Sequence, residues 1–209
     1  MSIHARRFVF ALAITVLAVG AALPAVSQTV FINEIHYDNT GTDTGEAVEV
    51  AGPAGTSLAG WTIVPYNGNN GASYTPIGTL SGTIPDLCGG YGVVSVAISG
   101  LQNGAPDGLA LVNASNVAVQ FLSYEGTFTA TNGAANGMLS TDIGVLEDGT
   151  GAAGLSLQLS GSGTVYTDFT WQPDATSTFG ACNTGQTFGV VETAPTVQST
   201  TPANGATGV

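Results

Sequence analysis

The sequence predicts an all-β chain folded as an antiparallel sandwich or barrel. Three observations carry that expectation. Thirty glycines and few charged residues (8%) leave little material for long helices, since each helical Gly costs up to about 1 kcal/mol relative to Ala. Apolar residues outside the first 27 positions come in short segments separated by Gly, Asn, Asp and Pro. Some of those segments alternate with a period of two, the mark of a strand with one buried face.

In chain order, strands are expected at residues 30–36, 47–50, 61–66, 91–97, 108–112, 117–123, 155–159 and 168–171. The clearest alternation sets Leu155, Leu157 and Leu159 inward, with Ser156 and Gln158 outward. Val117, Val119 and Phe121 repeat the pattern, interrupted by Leu122. Tyr66-Asn67-Gly68-Asn69-Asn70-Gly71 reads as a loop rich in residues that accept positive φ. Pro106-Asp107-Gly108 is a turn into the following strand, and Asn113 to Asn116 a hairpin connection. The small-residue stretch from Gly126 to Gly154 is expected as loop beside the sandwich, with room for a short helical turn.

The first residues read as an export signal. Arg6 and Arg7 precede 16 mainly apolar residues, Phe8 to Leu23, and Ala25-Val26-Ser27 places small residues for cleavage between Ser27 and Gln28. The apolar run is shorter than the ~20 residues that span a bilayer. The alternative is a membrane anchor. Both basic residues of the chain lie in this segment, and all 14 acidic residues follow it. Cleavage therefore moves the formal charge from −12 to −14 and leaves no Lys or Arg. Nucleic-acid binding rests on Lys and Arg neutralising phosphates, and anionic lipid attracts the same groups. Neither partner is expected for this segment. Other domains of the same polypeptide, a cell-surface protein or a neutral glycan fit the charge better.

Cys88 and Cys182 are an even pair in a chain read as exported, and a disulfide between them is expected. Two unpaired buried thiols are the alternative. Near Val190 the composition changes to a linker, and the stretch from Pro195 reads as the first strand and turn of another domain. The chain is thus expected to be the N-terminal part of a longer protein.

Six segments stand in order along the chain: Ile32-Asn33-Glu34-Ile35, Glu46-Ala47-Val48-Glu49-Val50, Leu58-Ala59-Gly60-Trp61, Asp107-Gly108-Leu109-Ala110-Leu111-Val112, Ser156-Leu157-Gln158-Leu159 and Asp168-Phe169-Thr170-Trp171. Together they resemble the lamin-tail domain found at the front of secreted bacterial proteins. Ala47 stands near where that family often carries a bulky aromatic. The resemblance, over residues 30–188, implies an immunoglobulin-like antiparallel β-sandwich. Residues 195–209 resemble the opening of a bacterial immunoglobulin-like domain. Such a pair looks like those that precede secreted nucleases or related hydrolases, so a catalytic domain would lie beyond residue 209.

The candidate sites are few. Asp38, Asn39, Asp43 and Glu46 form a short oxygen-rich run with Gly41 for a turn, which suits either calcium or a solvated acidic loop. It is not an EF-hand loop, because no Glu stands at the twelfth position. Glu34, Glu46 and Glu49 supply carboxylates of the kind a glycosidase pairs, but no sequence feature marks a pocket. His36 is the only histidine after the signal, too few for a zinc site. Trp61 and Trp171 are expected in the core. Tyr66 and Tyr74 flank the Asn/Gly loop and are the candidates for surface contact with a glycan. The function expected is that of a non-catalytic accessory module.

Overall fold

A computed structural model describes residues 28–189. The segment up to Ser27, read as an export signal, and the stretch from Val190, read as a linker and the start of another domain, lie outside the described residues. Twelve strands occur: β1 Phe31–His36, β2 Ala47–Pro53, β3 Thr62–Asn67, β4 Ala72–Ser73, β5 Gly78–Thr79, β6 Tyr91–Ala97, β7 Asp107–Val112, β8 Ala118–Tyr124, β9 Thr141–Asp142, β10 Leu155–Gly163, β11 Phe169–Thr176 and β12 Gln186–Phe188. One 3-10 turn, Tyr166–Asp168, joins β10 to β11. The first sheet has the order β11-β10-β1-β2-β6, with β12 beside β10; the second has the order β4-β3-β7-β8-β9, with β5 beside β3. All pairings are antiparallel except β10 with β12 and β8 with β9. The two sheets pack as an immunoglobulin-like sandwich.

The shared core explains why these segments pair face to face. Ile35, Val48, Val50, Leu157 and Leu159 from the first sheet meet Ile63, Leu109, Leu111 and Leu122 from the second. Phe31, Phe169, Phe188 and Trp171 extend the core at one end, where Phe31 and Phe169 have ring centroids 5.7 Å apart. Trp171 is buried as expected, while Trp61 is only partly buried against the core. The second sheet also buries its outer face. Tyr66, Ala110, Val112, Ala118 and Phe121 are covered there by Phe128, Ala130 and Ala135 from the long small-residue loop. That loop is therefore a lid of the sheet rather than a free excursion.

Two alternations read from the sequence are corrected here. Ser156 and Gln158 do face away from Leu157 and Leu159, but they are buried rather than solvent-facing. In the other, Val117 lies outside β8 and is 53% exposed. A β-bulge opposite Leu111 and Val112 resets the period at Val119. Phe121 consequently joins the outer cluster and Leu122 the inner core.

A second bulge interrupts β1 between Ile32 and Glu34. It is bridged across the sandwich, because Ile32 N–H donates to Gln120 Oε1 on β8 at 2.8 Å. The Cys88–Cys182 disulfide forms as expected, with Cα atoms 6.2 Å apart and a sequence separation of 94. It ties the loop before β6 to the strap 177–185 that links β11 to β12.

Candidate functional site

The outward side chains of β1, β2 and β10 build a polar patch that the strap 177–185 covers. Glu49 pairs across the strands with Glu34, and Glu34 with Gln158. Glu34 and Glu49 are both fully buried. Glu34 Oε1 accepts Ser156 Oγ–H at 2.6 Å and Thr178 N–H at 2.7 Å. Glu49 Oε1 accepts an Asn33 Nδ2–H at 3.1 Å, and its Oε2 accepts Gly180 N–H at 2.6 Å. Asn183 reaches under the strap and donates both Nδ2 protons, to the carbonyls of Asn33 and Leu159, at 3.0 Å each. Gln186 Nε2 donates to Asn33 Oδ1 at 2.7 Å. Burial raises the Glu34 carboxyl above its ordinary range. Burial likewise pushes Glu49 up to about 8, and the charge of Glu34 adds to it.

A second polar group sits at the end of β1. His36 Nδ1 lies 2.8 Å from Glu147 Oε1, and its Nε2 lies 3.1 Å from the Thr44 carbonyl. Both ring nitrogens face acceptors, so the doubly protonated imidazolium satisfies both. The Glu147 hydrogen bond leads in raising the His36 pKa, ahead of the burial that opposes it. Glu147 Oε2 also accepts Tyr37 N–H at 2.6 Å and Asp38 N–H at 2.8 Å. The Tyr37 hydroxyl accepts Glu147 N–H at 2.8 Å and donates to Glu125 Oε1 at 3.0 Å. Its ring stacks on Tyr124 at 3.8 Å. His36 is buried and hydrogen-bonded through both ring nitrogens, an anchor for the loop that carries Glu147.

The four residues considered for calcium separate into different tasks. Asp38 and Asp43 come together; burial raises Asp38 first, and the Asp43 charge adds to it. Asn39 instead closes the loop on itself: its Nδ2 donates to the Thr40 and Thr42 carbonyls and its Oδ1 accepts Thr44 N–H. Glu46 turns to Gly100 N–H at 2.6 Å. Among the described residues no three His, Cys, Asp or Glu side chains converge as a metal cluster.

The tyrosine pair is corrected in part. Tyr66 is fully buried, with its ring edge-on to Phe121 and its hydroxyl hydrogen-bonded to Asn132 O and Ala135 N–H. It is unavailable for surface contact. Tyr74 is partly buried, and its hydroxyl accepts Gln102 N–H at 2.7 Å. Burial pushes the Tyr74 hydroxyl up to about 12. Beside it, an open cleft of about 390 Å³ is lined by Asn67, Asn69, Gln102, Asn103 and Asp107, among others. Asp107 ties its two walls together, accepting Gly68 N–H and Gly104 N–H at 2.9 Å each. The sequence pointed to this neighbourhood through its Asn/Gly loop, which supplies Asn67 and Asn69, but not to Gln102 and Asn103 on the facing wall.

Glu147, Asn183 and Gln120 carry much of the buried polar structure and had no signal of their own in the sequence. Each has a partner far away along the chain, at His36, Asn33 and Ile32 respectively. The chain matches no protein-family model, no curated protein and no solved structure.

Proposed function

We propose that residues 28–189 form a non-catalytic accessory module of an exported protein, of the lamin-tail kind, which spaces or docks neighbouring domains. What carries the reading is how the acidic residues are used. Glu34, Glu49, Glu147 and Asp107 are buried and spend their oxygens on hydrogen bonds from the module's own backbone and side chains. Carboxylates committed in this way hold loops and strands in place; acid–base work needs them open to a substrate. Asn33, Glu34, Glu49, Ser156 and Gln158, all from the segments that carry the lamin-tail resemblance, meet in one buried patch. The disulfide suits an oxidising compartment, and among the described residues no helix is long and apolar enough to cross a membrane.

The test is export of a fluorescent protein fused to residues 1–189, whose first 27 residues supply the export signal. Retention on the cell envelope, with no hydrolysis of nucleic acid or polysaccharide by the purified module, is expected. Hydrolysis abolished by Glu34→Gln or Glu49→Gln would overturn the reading.

The amide-lined cleft favours a second reading, recognition of a neutral glycan. Side-chain amides offer donors and acceptors to sugar hydroxyls without requiring a charged ligand. Titration with neutral oligosaccharides should then shift the NMR signals of Asn69 and Asn103 saturably, and unmoved signals would remove this reading.

A further inference from the structure

The strap 177–185 closes on the Glu34–Glu49 patch through a hydroxyl with more acceptors than protons. Thr178 Oγ1 lies 2.9 Å from Glu34 Oε2, 3.2 Å from Asn183 Oδ1 and 3.3 Å from Gln158 Oε1. A threonine hydroxyl has one proton to give. Asn183 Oδ1 is supplied separately by Asn33 Nδ2–H at 3.1 Å. Two acceptors then compete for the Thr178 proton, Glu34 Oε2 and Gln158 Oε1. One additional proton, on Glu34 Oε2, resolves the conflict: Glu34 donates to Thr178 Oγ1, and Thr178 donates onward to Gln158 Oε1. Glu34 Oε1 continues to accept Ser156 Oγ–H and Thr178 N–H.

We propose that the strap is a proton-gated latch, closed when Glu34 carries a proton that it donates to Thr178 and loosened when that proton leaves. The groups facing the carboxyl allow no other compensation. β2 presents Glu49, β10 presents Ser156 and Gln158, the strap presents Thr178, Gly180 and Asn183, and β12 presents Gln186; none is a cation, and only the two glutamates titrate. Burial weighs more heavily on Glu49 than on Glu34. The latch proton is the one on Glu34, whose Oε2 faces a hydroxyl able to accept it, whereas both Glu49 oxygens face N–H groups. With both carboxylates ionised, two negative charges lie beneath one loop and the Glu34–Thr178–Gln158 chain is a proton short. The Cys88–Cys182 bond keeps the loosened strap tethered, so the opening is local and reversible.

The latch is tested on the exported, disulfide-intact protein by two measurements. The first is a carbon-13 titration of the Glu34 and Glu49 carboxyl carbons. The Glu34 carbon should keep its neutral-acid shift at pH 6, where an ordinary glutamate is ionised. An ionised shift at that pH overturns the proposal. The second is hydrogen exchange at the Thr178 and Gly180 amides, corrected for intrinsic rates. Their protection should fall about tenfold per pH unit between the ordinary glutamate value and the folded-state value, as release of one proton on opening requires. Protection at Ile63 and Leu109 in the core should stay flat. Glu34→Gln, whose amide mimics the protonated acid, should flatten the pH dependence at the Thr178 amide to what Glu49 alone leaves, and an unchanged slope there overturns the latch. Thr178→Val, which keeps both carboxylates but deletes the proton's acceptor, should shift the loss of protection about one unit lower, and an unchanged midpoint counts against it.

Discussion

Glu147 shows how much of this molecule hangs on single polar side chains. It is nearly fully buried beside His36, and its two oxygens serve the imidazolium and two backbone N–H groups. Removing one partner of a buried charge pair leaves the other desolvated, at a cost of about 3–5 kcal/mol. Glu147→Ala should destabilise the fold by that order in urea unfolding. Glu147→Gln should cost much less, about 1 kcal/mol, because its amide oxygen still accepts from Tyr37 and Asp38 while its N–H₂ faces a neutral His36 Nδ1. Equal losses for the two variants would mean that the carboxylate's charge, rather than its acceptor geometry, supports the site. Tyr66 makes the complementary point about reading residues in isolation. Beside an Asn/Gly loop it looked like surface, yet Phe121 and Phe128 form a cluster over that face of the second sheet. No local pattern announces a cover that arrives from 60 residues downstream.

Strands were legible wherever a run of apolar residues was long enough to show its period. All eight expected strands exist, with ends displaced by up to five residues. The largest displacements fall at the C-terminal ends of β10 and β11, where Ser160–Gly163 and Gln172–Thr176 extend the pairing without apolar alternation. β4, β5, β9 and β12 were not legible, since two- or three-residue strands exist only through their tertiary partners. The bulges were equally silent, and they reverse which face a residue takes. Gln120 is the residue that repairs one of them. Its Oε1 is the acceptor for the buried Ile32 N–H, so Gln120→Leu leaves that donor unpaired inside the sandwich and should cost about 1–3 kcal/mol. A shift of the urea midpoint without change of slope would show it; an unaltered midpoint would mean that another acceptor reaches Ile32. The disulfide was readable from an even cysteine count, and its weight follows from chain length. Closing a loop between residues 94 apart in sequence restricts the unfolded chain, worth about 4–5 kcal/mol in the chain-entropy account. Replacing both cysteines by serine should lower the thermal midpoint accordingly. A loss under about 1 kcal/mol would place the strap's stability in its hydrogen bonds alone.

Over the whole molecule, the absence of Lys and Arg after residue 27 decides how stability depends on pH. In most proteins paired carboxylates have depressed pKa values, so acid destabilises. Here burial without cations raises Glu34, Glu49, Asp38, Asp107 and Asp174 instead. A carboxyl raised in the folded state binds its proton more tightly there than in the unfolded chain. Its contribution is present below the unfolded value and is lost as pH rises through the folded one. For Glu49 that window runs from 4.5 to about 8. His36, held protonated mainly by its hydrogen bond to Glu147, acts with the same sign: its contribution is present below 6.5 and lost as pH rises through the folded value. Exposed Asp148 is lowered and acts in the opposite sense, its contribution being lost on acidification. The buried groups dominate, because solvent screens an exposed one. Mutual repulsion among carboxylates without counter-charges works in the same direction, since it too weakens as protons are taken up. Stability should therefore be greater at pH 5 than at pH 8.5. If half of the Glu49 displacement survives structural relaxation, the difference is about 2 kcal/mol. Urea unfolding at the two pH values measures it directly, and a midpoint that rises with pH would show that the buried carboxylates are ionised at no cost to the fold.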